Sequence, residues 1–252
     1  MKNNKLGRWL VLLAILATIT INALANILPI NGLNTGEISD SFEIFFVPAG
    51  YVFSIWSVIY LGLIAYGVYQ VLPSTAENTR LSAIVLPVIV SSIANSIWIF
   101  MWHYEQFPLT LIFMVILLIS LIVAYLRLET GKTQVSAQET WLVRVPFSIY
   151  LGWVSVATIA NVTQVLYFLN WNGFGVRPAV WAAVMLFVGA VLAWIMALQR
   201  GDIAYLGVFI WAFIGIALKH QSTQLVAVSA WIAVGLVAAA VVATFFRRKP
   251  AI

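Results

Sequence analysis

The chain has 252 residues, of which 63% are hydrophobic and only 8% charged, with a mean hydropathy of +1.02. Soluble domains carry about a quarter charged residues, so a water-soluble enzyme, a nucleic-acid binder and a disordered regulator are all excluded. Cysteine is absent, which removes a disulfide framework, a thiolate metal site and a cysteine nucleophile.

A bilayer core takes about 20 apolar residues per helix. Eight stretches qualify or nearly so: 9–28, 51–72, 84–102, 109–126, 141–169, 179–198, 203–218 and 225–246, the seventh being the shortest. They are too long, and too rich in Leu, Ala and Trp, for barrel strands. The fold class expected is an all-α integral membrane protein. Lys2, Lys5 and Arg8 precede the first run, which ends in Ala23-Leu24-Ala25 and so mimics a signal-peptide cleavage site. The run exceeds the 7–15 residues of a usual signal core, and it reads as a retained span.

With eight spans both termini share a side. That side collects Lys2, Lys5, Arg8, Arg80, Arg127, Lys132, Arg144, Arg200, Arg247, Arg248 and Lys249, leaving Arg177 and Lys219 on the other with Glu37, Asp40, Glu43 and Glu105. Such a bias puts both termini in the cytoplasm of a multi-pass cell-membrane protein. The basic balance is therefore a topology signal, and the partners it implies are membrane lipids and no nucleic acid.

All the acidic residues, Glu77, Glu129, Glu139 and Asp202 among them, fall in loops or at span ends. Ion-coupled pumps place such groups near the midplane, and a retinal protein needs a mid-helix lysine, whereas Lys219 sits at a span end. His103 and His220 also lie at span ends and read as solvated rather than as metal ligands. No catalytic residue and no metal site is expected.

The spans hold neutral amides instead: Asn22 and Asn26, Asn95, Asn161 and Gln164. In hydrocarbon each needs a hydrogen-bond partner, so they should face the bundle interior. None falls in the last three spans, which divides the chain near 170–178, where Gly173, Gly175 and Pro178 suggest a loop. Phe53, Trp56 and Tyr60 share a helix face, Trp98 and Trp102 are one turn apart, and Trp153, Ala157 and Asn161 are spaced i, i+4, i+8. Large aromatics beside small residues leave room for a flat apolar ligand. Trp9, Trp141, Trp171 and Trp181, at span ends, fit an interfacial belt instead, whereas Trp56 and Trp153 lie deeper and fit it poorly. Gly189, Ala193 and Ala197, and again Gly235, Ala239 and Ala243, give small-residue faces for close helix packing.

Three segments resemble the TspO/translocator family of tryptophan-rich sensory proteins. Residues 48–60, Pro-Ala-Gly-Tyr-Val-Phe-Ser-Ile-Trp-Ser-Val-Ile-Tyr, are similar to the family's P-P-G-W-x-F-x-x-x-W-x-x-L-Y. Asn95-Ser96-Ile97-Trp98 is like its N-x-x-W, and 146–161 is like its fifth-helix P-Y-L-x-W…L-N. Ala49, Tyr51 and Ala160 depart from that pattern, and the family's helix-four Asp has no counterpart in 111–115. The resemblance implies a five-helix bundle over 1–172, followed by a three-helix extension over 173–252. It implies a pocket for a porphyrin, haem or similar flat ligand, with no required cofactor, sensing or transport as output, and a possible homodimer. The acidic loop before Pro48 would lid that pocket. Trp98, Trp153, Ala157 and Ala160 carry over as pocket residues, and Tyr51, Phe53, Trp56 and Asn161 as motif residues with a ligand-binding role. Alternatives are Trp-assisted porphyrin breakdown, disfavoured because no nucleophile or acid/base pair is visible, and a non-catalytic assembly subunit whose last three helices dock a partner.

Overall fold

A computed structural model of the chain describes residues 5–28 and 30–247, whose regular structure is entirely helical. Of the cations assigned to one side above, Lys2, Arg248 and Lys249 lie outside the described residues. The long helices are α1 (Lys5–Ile27), α2 (Ile55–Tyr69), α3 (Val85–His103), α4 (Phe107–Arg127), α5 (Val145–Phe168), α6 (Pro178–Arg200), α7 (Ile203–Lys219) and α8 (Gln224–Arg247). Seven are long and apolar enough to cross a membrane, α2 and α5 together with the helical turns that lead into them. The exception is α7, with 17 residues. At 1.5 Å per residue it covers about 26 Å, short of a hydrocarbon core of about 30 Å. The eight-span expectation thus resolves into seven candidate spans and one shorter apolar helix.

Prolines and caps set the boundaries. Pro108, Pro146 and Pro178 occupy the first turns of α4, α5 and α6, where a missing N–H costs nothing. Gly201, at φ +60°, ends α6 by donating its N–H to the Met196 and Ala197 carbonyls, a left-handed cap that favours glycine. The next residue, Asp202, starts α7 by accepting the Tyr205 N–H. Two residues therefore reverse the chain.

The first five helices close a ring: α1 packs on α2 and α3, α3 on α4, α4 on α5, and α5 on α2. Outside the ring, α7 lies against α5 and the turn Gly50–Ser54, while α6 and α8 pack on α7 and on each other. One apolar core runs from Val11 in α1 to Ala240 in α8. The close contact of α7 depends on Gly215, where a Cβ would sit 2.2 Å from Val52 Cγ2. On α6 the small-residue face is buried, with Gly189 under the Phe213 ring. On α8 it is not. Val226, Ala230, Ala233, Val237 and Ala240 are buried there, while Gly235 and Ala239 face outward. Small residues lie on both sides of α8, so spacing could not tell which side packs.

The loop after α1 covers one end of the ring. Its helix Thr35–Asp40 begins with a capping box between Asn34 and Glu37. His103 pairs through its two ring nitrogens with the Ile30 carbonyl and the Thr35 hydroxyl, each at 3.1 Å. Phe42 meets Phe107 edge-on at 4.9 Å. His103 is buried, not solvated as its span-end position suggested, because the loop folds over it. His220 donates from Nε2 to the Val47 carbonyl at 3.1 Å. Burial, and then neighbouring Lys219, hold its pKa below the usual histidine value.

At the other end Arg8 is buried and donates to the carbonyls of Gln70, Thr75, Ala76 and Asn78 and to the Ser82 hydroxyl. Glu139, also buried, accepts from Arg80 at 2.9 Å and from Asn78 at 2.8 Å. That hydrogen bond raises the pKa of Arg80 further. The span-end charges here are clamps between loops rather than solvated ends.

Candidate functional site

Two polar chains cross the interior of the ring. In the first, Asn22 Nδ2 donates to Asn95 Oδ1 at 2.7 Å, and Asn95 Nδ2 donates to the Tyr150 hydroxyl at 3.0 Å. In the second, Trp98 Nε1 donates to Asn161 Oδ1 at 3.3 Å, and Asn161 Nδ2 donates to Thr110 Oγ1 at 2.8 Å. Each joins three helices: α1, α3 and α5 in one, α3, α4 and α5 in the other. The expectation that the amides face inward holds for Asn22, Asn95, Asn161 and Gln164, all buried. It fails for Asn26, which is exposed and bonds to the Asn22 carbonyl of its own helix.

The aromatic shell lies beside the first chain. Trp56 stacks on Tyr60 at 5.4 Å and meets Tyr150 and Trp153 edge-on at 6.0 and 6.2 Å. Phe53 meets Trp153 edge-on at 5.8 Å. Trp153 is 3% exposed, and its indole N–H has no hydrogen-bond partner among the described residues. The buried Gln164 likewise has an unpartnered Nε2. Trp98 stacks on Trp102 at 5.0 Å. Ala157 and Ala160 are half-buried on α5 and pack against the core.

The structure thus gathers Phe53, Trp56 and Trp153 in one cluster, and Trp98 with Asn161 in another about two turns along α5. Tyr51 is not with them: it is 45% exposed and meets Trp211 of α7 at 5.3 Å, outside the ring. Tyr150 and Thr110 were not foreseen as site residues. Tyr150 precedes Trp153 by one helical turn and Thr110 is a polar residue in an apolar run, signals that an inward-face reading of α4 and α5 would have caught.

One comparison decides the family: the model described as TSPO-like protein matches residues 8–243. The chain belongs to the TSPO-like protein family. No curated protein and no solved structure matches it. The TSPO-like match extends well past the motifs of 48–161 and takes in α6, α7 and most of α8.

This TSPO-like chain also has an apolar cavity of about 500 Å³ on another face of α5. Thr158, Val162 and Leu166 of α5, Phe45 of the covering loop, and Trp171 and Trp181 contribute to its wall. None of the eight residues expected at the site lines it. Trp181, which fitted an interfacial belt, donates instead to the Gly173 carbonyl at 3.0 Å.

Proposed function

We propose that this protein is a membrane receptor or carrier for a flat hydrophobic ligand of the tetrapyrrole class, porphyrin or haem, with sensing or transport as its output. The unpartnered indole N–H of Trp153 carries the reading. It is buried between Phe53 and Trp56, and a buried donor without an acceptor costs about 1–3 kcal/mol. A ligand offering an acceptor at its edge and a planar apolar body recovers that cost. Residues 1–172 form the binding ring in this reading, and 173–252 brace it through α7. Although short, α7 runs from Asp202, bonded to Tyr125, to Lys219, paired with Asp40 of the covering loop at the opposite end. The chain therefore passes the bundle eight times, and eleven of thirteen cations on one side then support cytoplasmic termini in the cell membrane.

A second reading places the ligand in the apolar cavity beside α5, whose volume lies within the range of small-molecule sites. One titration separates the two. Protoporphyrin and haem are added to detergent-purified protein and Trp fluorescence is followed, saturation at one ligand per chain being the criterion because micelles also take up porphyrin. Saturable quenching that Trp153→Phe weakens and that filling the cavity from its wall by Thr163→Trp leaves intact supports the ring interior. The reverse pattern supports the cavity. Quenching that never saturates sinks both.

A further inference from the structure

At the end of the bundle away from the covering loop, the turns after α4 and α6 line a second, open cavity of about 460 Å³. Its wall contains Lys132, Arg144 and Arg200, with Gln134, Gln199 and Thr244, and no carboxylate among the described residues. We propose that this cavity binds a phosphate-class anion, either a free phosphate compound or the headgroup of an anionic phospholipid.

Arg144 is the central observation. It is 6% exposed, and its guanidinium donates only to neutral oxygens: the Thr133 carbonyl, Thr133 Oγ1 at 2.6 Å and the Leu128 carbonyl at 2.9 Å. Its Nε–H has no hydrogen-bond partner among the described residues. A buried charge is expensive unless an opposite charge or a full set of hydrogen bonds compensates it. The acids of this end do not do so by contact. Glu139 is held by Arg80 and Asn78, and Asp202 accepts from Tyr125, Ser148 and Tyr205. Glu129 is exposed and outside the cavity wall.

Neither of the two other cations forms an ion pair among the described residues. Arg200 donates to the Thr130 carbonyl at 3.2 Å and lies 5.7 Å over the Tyr125 ring. Lys132 is exposed and takes part in neither ion pair of the described residues. The C-terminus of α6 points its dipole here, but that opposes an anion with only about half a charge, against three full positive charges. Phosphate oxygens, like those of a carboxylate, match the geometry of a guanidinium fork. Basic pockets between membrane helices capture anionic headgroups for the same reason.

The test uses the full chain in a neutral detergent, titrated with dioctanoyl phosphatidic acid, inorganic phosphate or dioctanoyl phosphatidylcholine, with bound mass read by native mass spectrometry. One phosphatidic acid or one phosphate should bind per chain. Lys132→Glu should weaken it about tenfold or more. Arg144→Lys keeps the charge but loses the fork, and should weaken binding while circular dichroism shows the helices intact. Phosphatidic acid binding that inorganic phosphate does not compete away assigns the lipid headgroup; competition assigns the free phosphate class. The proposal is overturned by any of three results: no saturable anion binding, binding unchanged in Lys132→Glu, or phosphatidylcholine binding equally well.

Discussion

Asn95 accepts from Asn22 and donates to Tyr150, so a single amide ties α1, α3 and α5 together where no water is at hand to replace it. Substituting Asn95→Leu keeps the branched shape at a somewhat larger volume, leaves the Tyr150 hydroxyl without its donor, and leaves Asn22 Nδ2 only its bond to the Thr18 carbonyl at 2.9 Å. Interhelical hydrogen bonds in membranes are worth about 1–2 kcal/mol at most, so the thermal midpoint of the detergent-solubilised protein should fall by that equivalent. Tyr150→Phe, which removes one bond only, should lower it less. Equal midpoints for wild type and Asn95→Leu would show that the chain of amides contributes nothing to holding the ring. At this scale the sequence was only partly readable. An Asn in an apolar run announces a need for a partner, which placed Asn22, Asn95 and Asn161 correctly. It does not announce which way the residue points, and Asn26 near the end of α1 satisfies itself on its own backbone. His103 was misjudged for a related reason. Its exposure is decided by a loop some seventy residues earlier, and no local pattern encodes that.

Glycine at 215 is what lets α7 reach the ring. The Ala49 N–H donates to the Gly215 carbonyl at 3.1 Å, and Trp211 Nε1 donates to the Val52 carbonyl at 3.1 Å. Backbone and side chain thus hold the turn Gly50–Ser54 against one face of α7. Gly215→Ala puts a methyl into Val52 and Pro48 and should cost about 1–3 kcal/mol, the usual penalty for overpacking. Gly235→Ala on the outward side of α8, where an added Cβ meets open space, should leave the midpoint unlowered. The pair is measured together by thermal unfolding. A midpoint in Gly215→Ala that is not below that of Gly235→Ala would mean that helix propensity, which favours alanine at both positions, is all that these substitutions report and that the contact with Val52 carries nothing. Helix positions were the most legible feature of the chain, since a 20-residue apolar run has few other uses. The predicted 203–218 and the observed Ile203–Lys219 nearly coincide. What the apolar pattern could not supply was the partner of each face. In a membrane both the lipid-facing and the protein-facing sides are apolar, so periodicity loses the contrast that reveals a buried stripe in water.

For the whole molecule, the ring and the flanking helices share α5, which touches α2 and α4 on one side and α7 on the other. Orientation in the bilayer is a property at this scale, and the absence of cysteine makes it easy to measure. Single cysteines at Gln138→Cys and Tyr104→Cys, both exposed and at opposite ends of the bundle, are treated with a membrane-impermeant maleimide on intact cells. Labelling at 104 without permeabilisation, and at 138 only after it, is the expected outcome; the opposite order reverses the topology. The shortness of α7 bears on how such a chain is assembled. Only Gly201 and Asp202 separate it from α6, and only residues 220–223 from α8. Closing loops this short loses little chain entropy. A 17-residue helix that would partition poorly by itself is thus delivered as the middle of a three-stroke zigzag. Its marginal length is offset by the long apolar helices tied to it on either side.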